Sequence, residues 1–189
     1  MKSQNLAKTN TSFSKKFFYK ITPFLLQSVA IFFLKPFFKL FIGLKIEGAE
    51  NFKKLPKGLI FASNHISYFD PGLLPVSIPF LSKHIPFFYV SRPHKSYTIH
   101  EPGEFIFNSF LSESWGSFEF IPGKKDYAES LRNHMKIVSD GSSLCIFPEG
   151  KISKDGQINP EDAWGGLGYL AFATGKPVIP VKISGYFYM

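Results

Sequence analysis

A histidine and an aspartate five residues apart, His65 and Asp70, are the residues whose types and spacing best suit catalysis in this sequence. A carboxylate that contacts a histidine fixes the tautomer of the ring and stabilises the imidazolium that forms when the ring takes a proton. Such a pair can deprotonate a hydroxyl, which is half of what acyl transfer needs. The alternative is a helix-capping aspartate beside an unrelated loop histidine, and the spacing alone favours that alternative because such pairs are common.

The flanking sequence predicts that this pair lies on a loop between a strand and a helix. Residues 58–63 form a short apolar run that is typical of a buried strand. Asp70 and Pro71 are typical of a helix start, since Asp caps free N–H groups and Pro suits the first helical position. Two residues five apart on one helix point away from each other, whereas on a loop that turns into a helix they can meet.

Strand-like and helix-like segments alternate along the rest of the chain. Strands are predicted at residues 44–47, 58–63, 86–90, 117–121, 143–147 and 177–183, and helices at 71–78, 105–111, 126–140 and 162–174. This alternation predicts a single α/β domain with a mostly parallel sheet flanked by helices. In such sheets ligands bind at the carboxyl ends of the strands. Four candidate site residues follow predicted strand ends: His65, Lys124, Glu149 and Lys151.

Other residue types that often form sites are interpreted here as structural. The spacing of His84, His94 and His100 matches no metal-ligand pattern, so we predict surface loops and no metal site. The single cysteine, Cys145, excludes an internal disulfide framework, fits a reducing compartment and lies in an apolar run that predicts a core position.

The positive charge of the chain is concentrated at its N-terminus. Residues 1–46 contain eight lysines and no acidic residue, while the remainder carries 14 basic and 14 acidic residues, for a net charge of +8. The lysines alternate with phenylalanines, which favours an anionic membrane surface as partner. A nucleic-acid binder would be expected to carry this charge on its folded domain, so that class is disfavoured.

Residues 1–44 are predicted to associate with a membrane, and residues 45–189 to form the α/β domain. Within the first segment, residues 1–16 are predicted to be disordered and residues 17–44 to form one or two helices lying in the interface. The longest uncharged stretch, Ile21 to Leu34, is shorter than the roughly 20 residues that a spanning helix needs. A short or tilted span and a signal peptide are the alternatives. The lysines predict a location on the cytoplasmic face.

Four stretches then stand in a characteristic order: Asn64-His65-x4-Asp70, residues 116–121, Phe147-Pro148-Glu149-Gly150, and residues 177–181. Together they resemble the glycerolipid acyltransferases, the PlsC-like or lysophospholipid acyltransferase family, over roughly residues 45–183. The resemblance implies transfer of a fatty acyl group from acyl-CoA or acyl carrier protein to a hydroxyl of a lysophospholipid such as 1-acylglycerol-3-phosphate, in phospholipid biosynthesis. It implies no cofactor beyond the thioester co-substrate, and membrane lipids as partners.

The resemblance also implies roles for individual residues. His65 would be the general base, Asp70 would orient it, and Asn64 would belong to the substrate site. The turn at Glu149 and Gly150 would bind substrate and supply backbone N–H groups to the tetrahedral oxyanion, with Glu149 holding the loop. Direct transfer is favoured over a covalent acyl-enzyme, because the sequence contains no Gly-x-Ser-x-Gly elbow.

Two departures from the family pattern bear on the substrate. Lys124 and Lys151 stand near positions where the family usually has arginines, and a lysine neutralises a phosphate without the bidentate fork of an arginine. Either these lysines bind the acceptor phosphate, or the acceptor is another lysophospholipid, a glycolipid or an aminolipid. The chain also ends soon after the last predicted strand, as expected of a short or truncated member. A non-catalytic lipid-binding relative on the same fold is the alternative function.

Overall fold

The computed structural model describes residues 7–93, 109–121, 126–153, 161 and 163–185. In this part of the chain the helices are α1 (Ala7–Phe37), α2 (Asp70–Ser77), α3 (Ser109–Trp115), α4 (Tyr127–Ser130), α5 (Arg132–Ser139) and α6 (Gly166–Thr174). The strands are β1 (Ile60–Ser63), β2 (Phe87–Ser91), β3 (Ser117–Glu119), β4 (Ser143–Ile146) and β5 (Val178–Val181). A π-helical turn spans Phe38–Ile42 and a 3₁₀ turn spans Ala49–Lys53.

The described strands form one sheet in the order β3-β2-β4-β1-β5, and every neighbouring pair is parallel. Ile60 of β1 lies opposite Leu144 on one side and Val178 on the other. The central strands β1 and β4 are apolar and almost completely buried, as expected of strands covered on both faces. The predicted α/β fold with a mostly parallel sheet is therefore confirmed.

Two apolar cores lie on the two faces of this sheet. One contains Phe61, Phe87 and Leu74 of α2, together with Ile31 of α1. The other contains Ile60 and Phe88 of the sheet, with residues of α5 and α6. Alternate residues of β1 and β2 therefore face opposite cores, as the two-residue repeat of a strand requires. The loops that follow β1 and β4 emerge together at the carboxyl edge of the sheet.

The N-terminal segment is one helix docked on the domain. Pro23, Gln27 and Ile31 are four residues apart on one face of α1, and all three are buried. The stretch Tyr19–Ile42 is long and apolar enough to cross a membrane, and it lies near the N-terminus, where a signal sequence has a similar length and composition. One helix forms, which is within the prediction of one or two, whereas the disorder predicted for residues 7–16 is wrong because α1 begins at Ala7.

Three other local predictions are wrong. Residues 44–47 form no strand: Leu44 donates its N–H to the carbonyl of Phe38 at 3.0 Å, so the chain here continues the helical turn and does not join the sheet. The helix predicted from Asp126 does have its aspartate cap on the N–H of Ala128, but it breaks at Leu131 (φ −104°, ψ 14°). The helix predicted from Asp162 begins only at Gly166.

His84 does not lie on the surface as predicted. Its ring is buried against Phe52, and Nε2 lies 3.1 Å from the carbonyl oxygen of Phe52. Burial lowers its pKa, so the neutral ring is favoured. His94 and His100 lie outside the described residues.

Candidate functional site

The loop between β1 and α2 brings His65 and Asp70 together. Nδ1 of His65 lies 2.7 Å from Oδ2 of Asp70. The Asp70 side chain is completely buried, while the histidine keeps 18% of its side chain accessible to solvent. The sequence prediction that these two residues meet at the start of the helix is therefore matched by the geometry.

The same carboxylate oxygen of Asp70 organises the whole loop. Oδ2 also accepts the backbone N–H groups of Ile66 at 2.7 Å and Ser67 at 3.0 Å. The predicted capping role is wrong, because the N-cap of α2 is Phe69 and these donors precede the helix. An acceptor-only carboxylate orients the ring with Nδ1–H toward Asp70, so the lone pair of Nε2 is left to accept a proton.

Two aromatic side chains hold the first turn of α2 in place by hydrogen bonds. The hydroxyl of Tyr89 donates to the carbonyl oxygen of Pro71 at 2.6 Å, and Nε1 of Trp115 donates to the same oxygen at 3.2 Å. Burial raises the pKa of Tyr89 well above its ordinary value, so this hydroxyl keeps its proton and remains a donor. Both donors thus hold the residue next to Asp70.

The loop that follows β4 contacts His65 at both of its ends. The ring of Phe147 stacks on the imidazole with centroids 4.2 Å apart and planes inclined by 18°. The N–H of Ser153 donates to the carbonyl oxygen of His65 at 2.8 Å. The loop that carries Glu149, Gly150 and Lys151 is therefore attached to His65 at both ends, at the edge of the sheet where ligands of parallel sheets bind.

Gly150 shapes this loop through its backbone. Its N–H donates to the carbonyl oxygen of Phe147 at 3.0 Å and so closes the turn, while the role of this turn's backbone N–H groups toward the oxyanion stays a prediction. Its φ of +63° favours glycine, and a Cβ at this position would lie 3.4 Å from Nε1 of Trp164. The backbone N–H of Trp164 in turn donates to the carbonyl oxygen of Pro148 at 2.9 Å.

The other predicted site residues have different surroundings. Glu149 is buried and Lys151 is exposed. The amide of Asn64 is engaged at both ends with Ile183, donating to its carbonyl oxygen at 2.8 Å and accepting its N–H at 2.7 Å. In this structure Asn64 ties the end of β1 to the segment after β5, and its role in substrate binding stays a prediction. Lys124 lies outside the described residues.

Several residues around the site were missed by sequence reasoning. Tyr89, Trp115 and Trp164 reach the site only through the fold, and no local pattern marks them. Phe147 belongs to the motif at residues 147–150, but its stacking on His65 was not predicted. A Cβ at Gly165 would lie 3.2 Å from the hydroxyl oxygen of Tyr127, so this glycine makes room for the Tyr127 side chain.

Cys145 lies beneath the site without taking part in it. It is completely buried in β4. Burial, and to a smaller extent the negative charge of Asp70, raises the pKa of its thiol far above the ordinary value. A thiol held in this state is a poor nucleophile, since the thiolate is the reactive form. The predicted role of Cys145 as a core residue is confirmed.

Comparison with known proteins matches this chain to one protein family and to individual relatives. The model of the family described as Acyltransferase matches residues 43–184. The chain is 27% identical over 177 residues to the chloroplastic 1-acyl-sn-glycerol-3-phosphate acyltransferase BAT2 of Brassica napus, covering 92% of this chain and 44% of the relative. It is also 27% identical over 177 residues to the chloroplastic 1-acyl-sn-glycerol-3-phosphate acyltransferase LPAT1 of Arabidopsis thaliana, covering 92% and 42%. The chain thus spans less than half the length of these curated relatives.

Among solved structures, the 1-acyl-sn-glycerophosphate (LPA) acyltransferase PlsC of Thermotoga maritima is similar with a TM-score of 0.48 and 17% identity, covering 87% of this chain and 76% of that one. The family match over residues 43–184 includes β1 to β5, the His65–Asp70 pair and the loop that packs against it. On that match, the chain belongs to the acyltransferase family.

Proposed function

We propose that this protein transfers a fatty acyl group from a thioester, acyl-CoA or acyl carrier protein, to the free hydroxyl of a lysophospholipid such as 1-acylglycerol-3-phosphate. The observation that carries the proposal is the contact between the buried Asp70 and the partly exposed His65, at 2.7 Å. A protein that only bound lipid would have no need of an oriented base. The names of the two plant relatives, 1-acyl-sn-glycerol-3-phosphate acyltransferases, support the choice of acceptor.

In the first step the acceptor hydroxyl approaches Nε2 of His65. This nitrogen takes the hydroxyl proton while the oxygen forms a bond to the thioester carbonyl carbon. The imidazolium that results is stabilised by Asp70, whose Oδ2 is already held by the N–H groups of Ile66 and Ser67. Because these donors fix the carboxylate before the reaction, little reorganisation accompanies proton transfer.

In the second step the tetrahedral oxyanion collapses to the new ester. The carbon–sulfur bond breaks, and Nε2–H of His65 returns its proton to the departing thiolate. The histidine thereby regains its starting state, and no covalent acyl-enzyme is formed. Phe147, stacked on the ring at 4.2 Å, keeps the imidazole in one orientation throughout the cycle.

Membrane association is the second part of the proposal, and the packing of α1 supports insertion from one side. The face that carries Pro23, Gln27 and Ile31 is buried against the domain in the middle of the apolar stretch. A helix covered by protein along that face cannot be surrounded by lipid. We therefore favour the predicted interfacial position over a span, with the lysines directed to headgroups on the cytoplasmic face.

In this proposal, the lysines of the site bind the headgroup of the acceptor lipid. Lys151 is exposed on the loop that contacts His65, which suits a charge that meets a phosphate from solvent. Lys124 is proposed to join it on the basis of the sequence. Lysines bind phosphate as point charges, so we expect a lower selectivity among phosphorylated headgroups than an arginine fork gives.

The test is acyl transfer by the full chain in membranes, with labelled acyl-CoA or acyl carrier protein and a panel of lysolipids. We expect His65→Ala to lower kcat by at least a factor of about 100, because it removes the general base. Arg132→Ala, an exposed change on α5, is the matched control and should keep full activity. Lys151→Ala should raise the KM of phosphorylated acceptors and leave neutral acceptors unaffected.

Two results would contradict the proposal. Equal activity of the wild type and His65→Ala would remove the base assignment. A folded wild-type protein that binds vesicles but transfers no acyl group to any acceptor would favour the non-catalytic lipid-binding relative.

A further inference from the structure

The turn between α2 and β2 exposes two large apolar side chains. Phe80 is 50% exposed and Leu81 is 63% exposed, on a turn closed by the N–H of Ser82 and the carbonyl oxygen of Pro79 at 3.1 Å. Leu81 has a φ of +57° and is the one non-glycine residue with positive φ among those described. The third position of such a turn ordinarily carries glycine or asparagine. A leucine at this position is unfavourable both because of its positive φ and because its apolar side chain is exposed to water. Neither the turn geometry nor contact with water therefore explains its presence.

This turn is continuous with the apolar surface of α1. The rings of Phe80 and Phe32 have centroids 6.1 Å apart. Nζ of Lys35 donates to the carbonyl oxygen of Ile78, just before the turn, and Ile78 packs in the same core as Ile31. The exposed apolar residues of α1 and the turn after it are Phe24, Leu25, Leu26, Val29, Phe32, Phe33, Leu34, Phe37, Leu40, Phe41 and Ile42.

The charges around this combined surface match anionic lipid. Residues 31–46 and 77–86 contain no acidic residue, and they contribute Lys35, Lys39, Lys45 and Lys83. Lys39 and Lys83 are exposed, and each lies within two residues of an exposed apolar side chain in the sequence. Apolar residues flanked by lysines suit a boundary where acyl chains meet negative headgroups.

We propose that Phe80 and Leu81 form a second membrane-inserting element, which enters the same leaflet of an anionic membrane as the exposed face of α1. The inference rests on the proposed membrane association and adds a contact from the α/β domain itself. Two insertion points on separate elements fix the rotation of the domain about α1. The carboxyl edge of the sheet, with His65, is then held at a constant angle to the lipid surface.

The experiment places an environment-sensitive fluorophore on single cysteines of the full chain in a Cys145→Ser background. The labelled positions are Leu81→Cys, Phe33→Cys on α1 as the positive reference, and Phe172→Cys as the matched control. Phe172 is 89% exposed on α6, which packs on the opposite face of the sheet. Vesicles contain phosphatidylglycerol and phosphatidylcholine, with or without lipids carrying a quencher on the acyl chain. We expect blue-shifted, quenched emission at positions 33 and 81 and water-like emission at position 172.

Each other pattern has a distinct meaning. A water-like label at position 81 with an inserted label at position 33 would overturn this inference and leave the proposed membrane association intact. Water-like labels at both positions would overturn both. A label at position 81 that is already shielded without vesicles, in a concentration-dependent manner, would show that a second copy of the chain covers the turn and would also overturn the inference.

A second variant guards against misfolding caused by the labels. Leu81→Asn suits the left-handed backbone, so the fold should be retained or slightly stabilised. Removing one inserted leucine should weaken vesicle binding by about tenfold, from the usual free energy of burying such a side chain. Phe172→Asn should leave binding unchanged, and equal binding by Leu81→Asn and the wild type would contradict the inference.

Discussion

The side-chain amide of Gln27 on α1 forms two hydrogen bonds with the backbone of Phe87 at the start of β2. Oε1 accepts the N–H of Phe87 at 2.8 Å, and Nε2 donates to its carbonyl oxygen at 2.9 Å. Nε2 also donates to the carbonyl oxygen of Trp115 at 2.8 Å. Helix α1 is therefore attached to the sheet by a completely buried polar contact.

We expect Gln27→Leu to destabilise the protein by about 2–4 kcal/mol, because the backbone groups of Phe87 and Trp115 would be left buried without partners. Thermal unfolding in detergent measures this change. Val29→Ala, which alters an exposed position on the same helix, should shift the free energy of unfolding by less than about 0.5 kcal/mol. Equal stability of Gln27→Leu and the wild type would show that α1 is attached by other contacts.

This attachment marks the limit of what the sequence predicts. The strands β1 to β5 and the meeting of His65 with Asp70 follow from local patterns, since apolar runs and a strand-to-helix loop are read from neighbouring residues. Gln27 lies in an apolar stretch, and no neighbouring residue predicts its hydrogen bonds. Its partners are 60 and 88 residues away in the sequence. Only the tertiary fold creates the buried backbone groups that it satisfies, and the same holds for Tyr89 and Trp115 at Pro71.

Asp70→Asn tests the role of the carboxylate separately from that of the histidine. An asparagine preserves the shape of the side chain but stabilises the imidazolium less well, and its amide can hold the ring in the wrong tautomer. We expect kcat to fall by at least a factor of about 100 with little change in the KM of the acceptor. Acyl-transfer kinetics measure both constants, with Asp140→Asn, an exposed change after α5, as the control. A change confined to KM would assign Asp70 to substrate binding instead.

Tyr89→Phe tests whether the hydrogen bond to Pro71 positions the His65–Asp70 pair. The variant removes the 2.6 Å hydrogen bond to the carbonyl oxygen of Pro71 and leaves Trp115 as the remaining donor. We expect a loss of about 1 kcal/mol in stability, together with a several-fold fall in kcat at constant KM. Tyr169→Phe on α6 is the matched control. A loss of stability with unchanged kcat at saturating substrate would limit Tyr89 to a structural role.

The buried His134 predicts that the fold loses stability in acid. Its Nε2 lies 2.9 Å from the carbonyl oxygen of Phe118, and burial lowers its pKa, with the hydrogen bond to Phe118 opposing part of that shift. Between the folded pKa and the ordinary value of about 6.5 the unfolded chain binds more protons than the native one. The free energy of unfolding should therefore be constant above about pH 7.5 and should fall as the pH drops below about 6.5, by at most about 1.4 kcal/mol per pH unit for this histidine.

Denaturant unfolding at pH 7.5, 6.5 and 5.5 measures this dependence, and His134→Gln should flatten it because the amide keeps a donor but does not titrate. His84, whose pKa is lowered by burial in the same direction, is expected to cause part of the remaining fall. The double variant His84→Gln/His134→Gln should then be flatter than either single variant. If the wild type and His134→Gln lose stability in parallel from pH 7.5 to 5.5, the protonation of other groups dominates and the assignment to His134 is wrong.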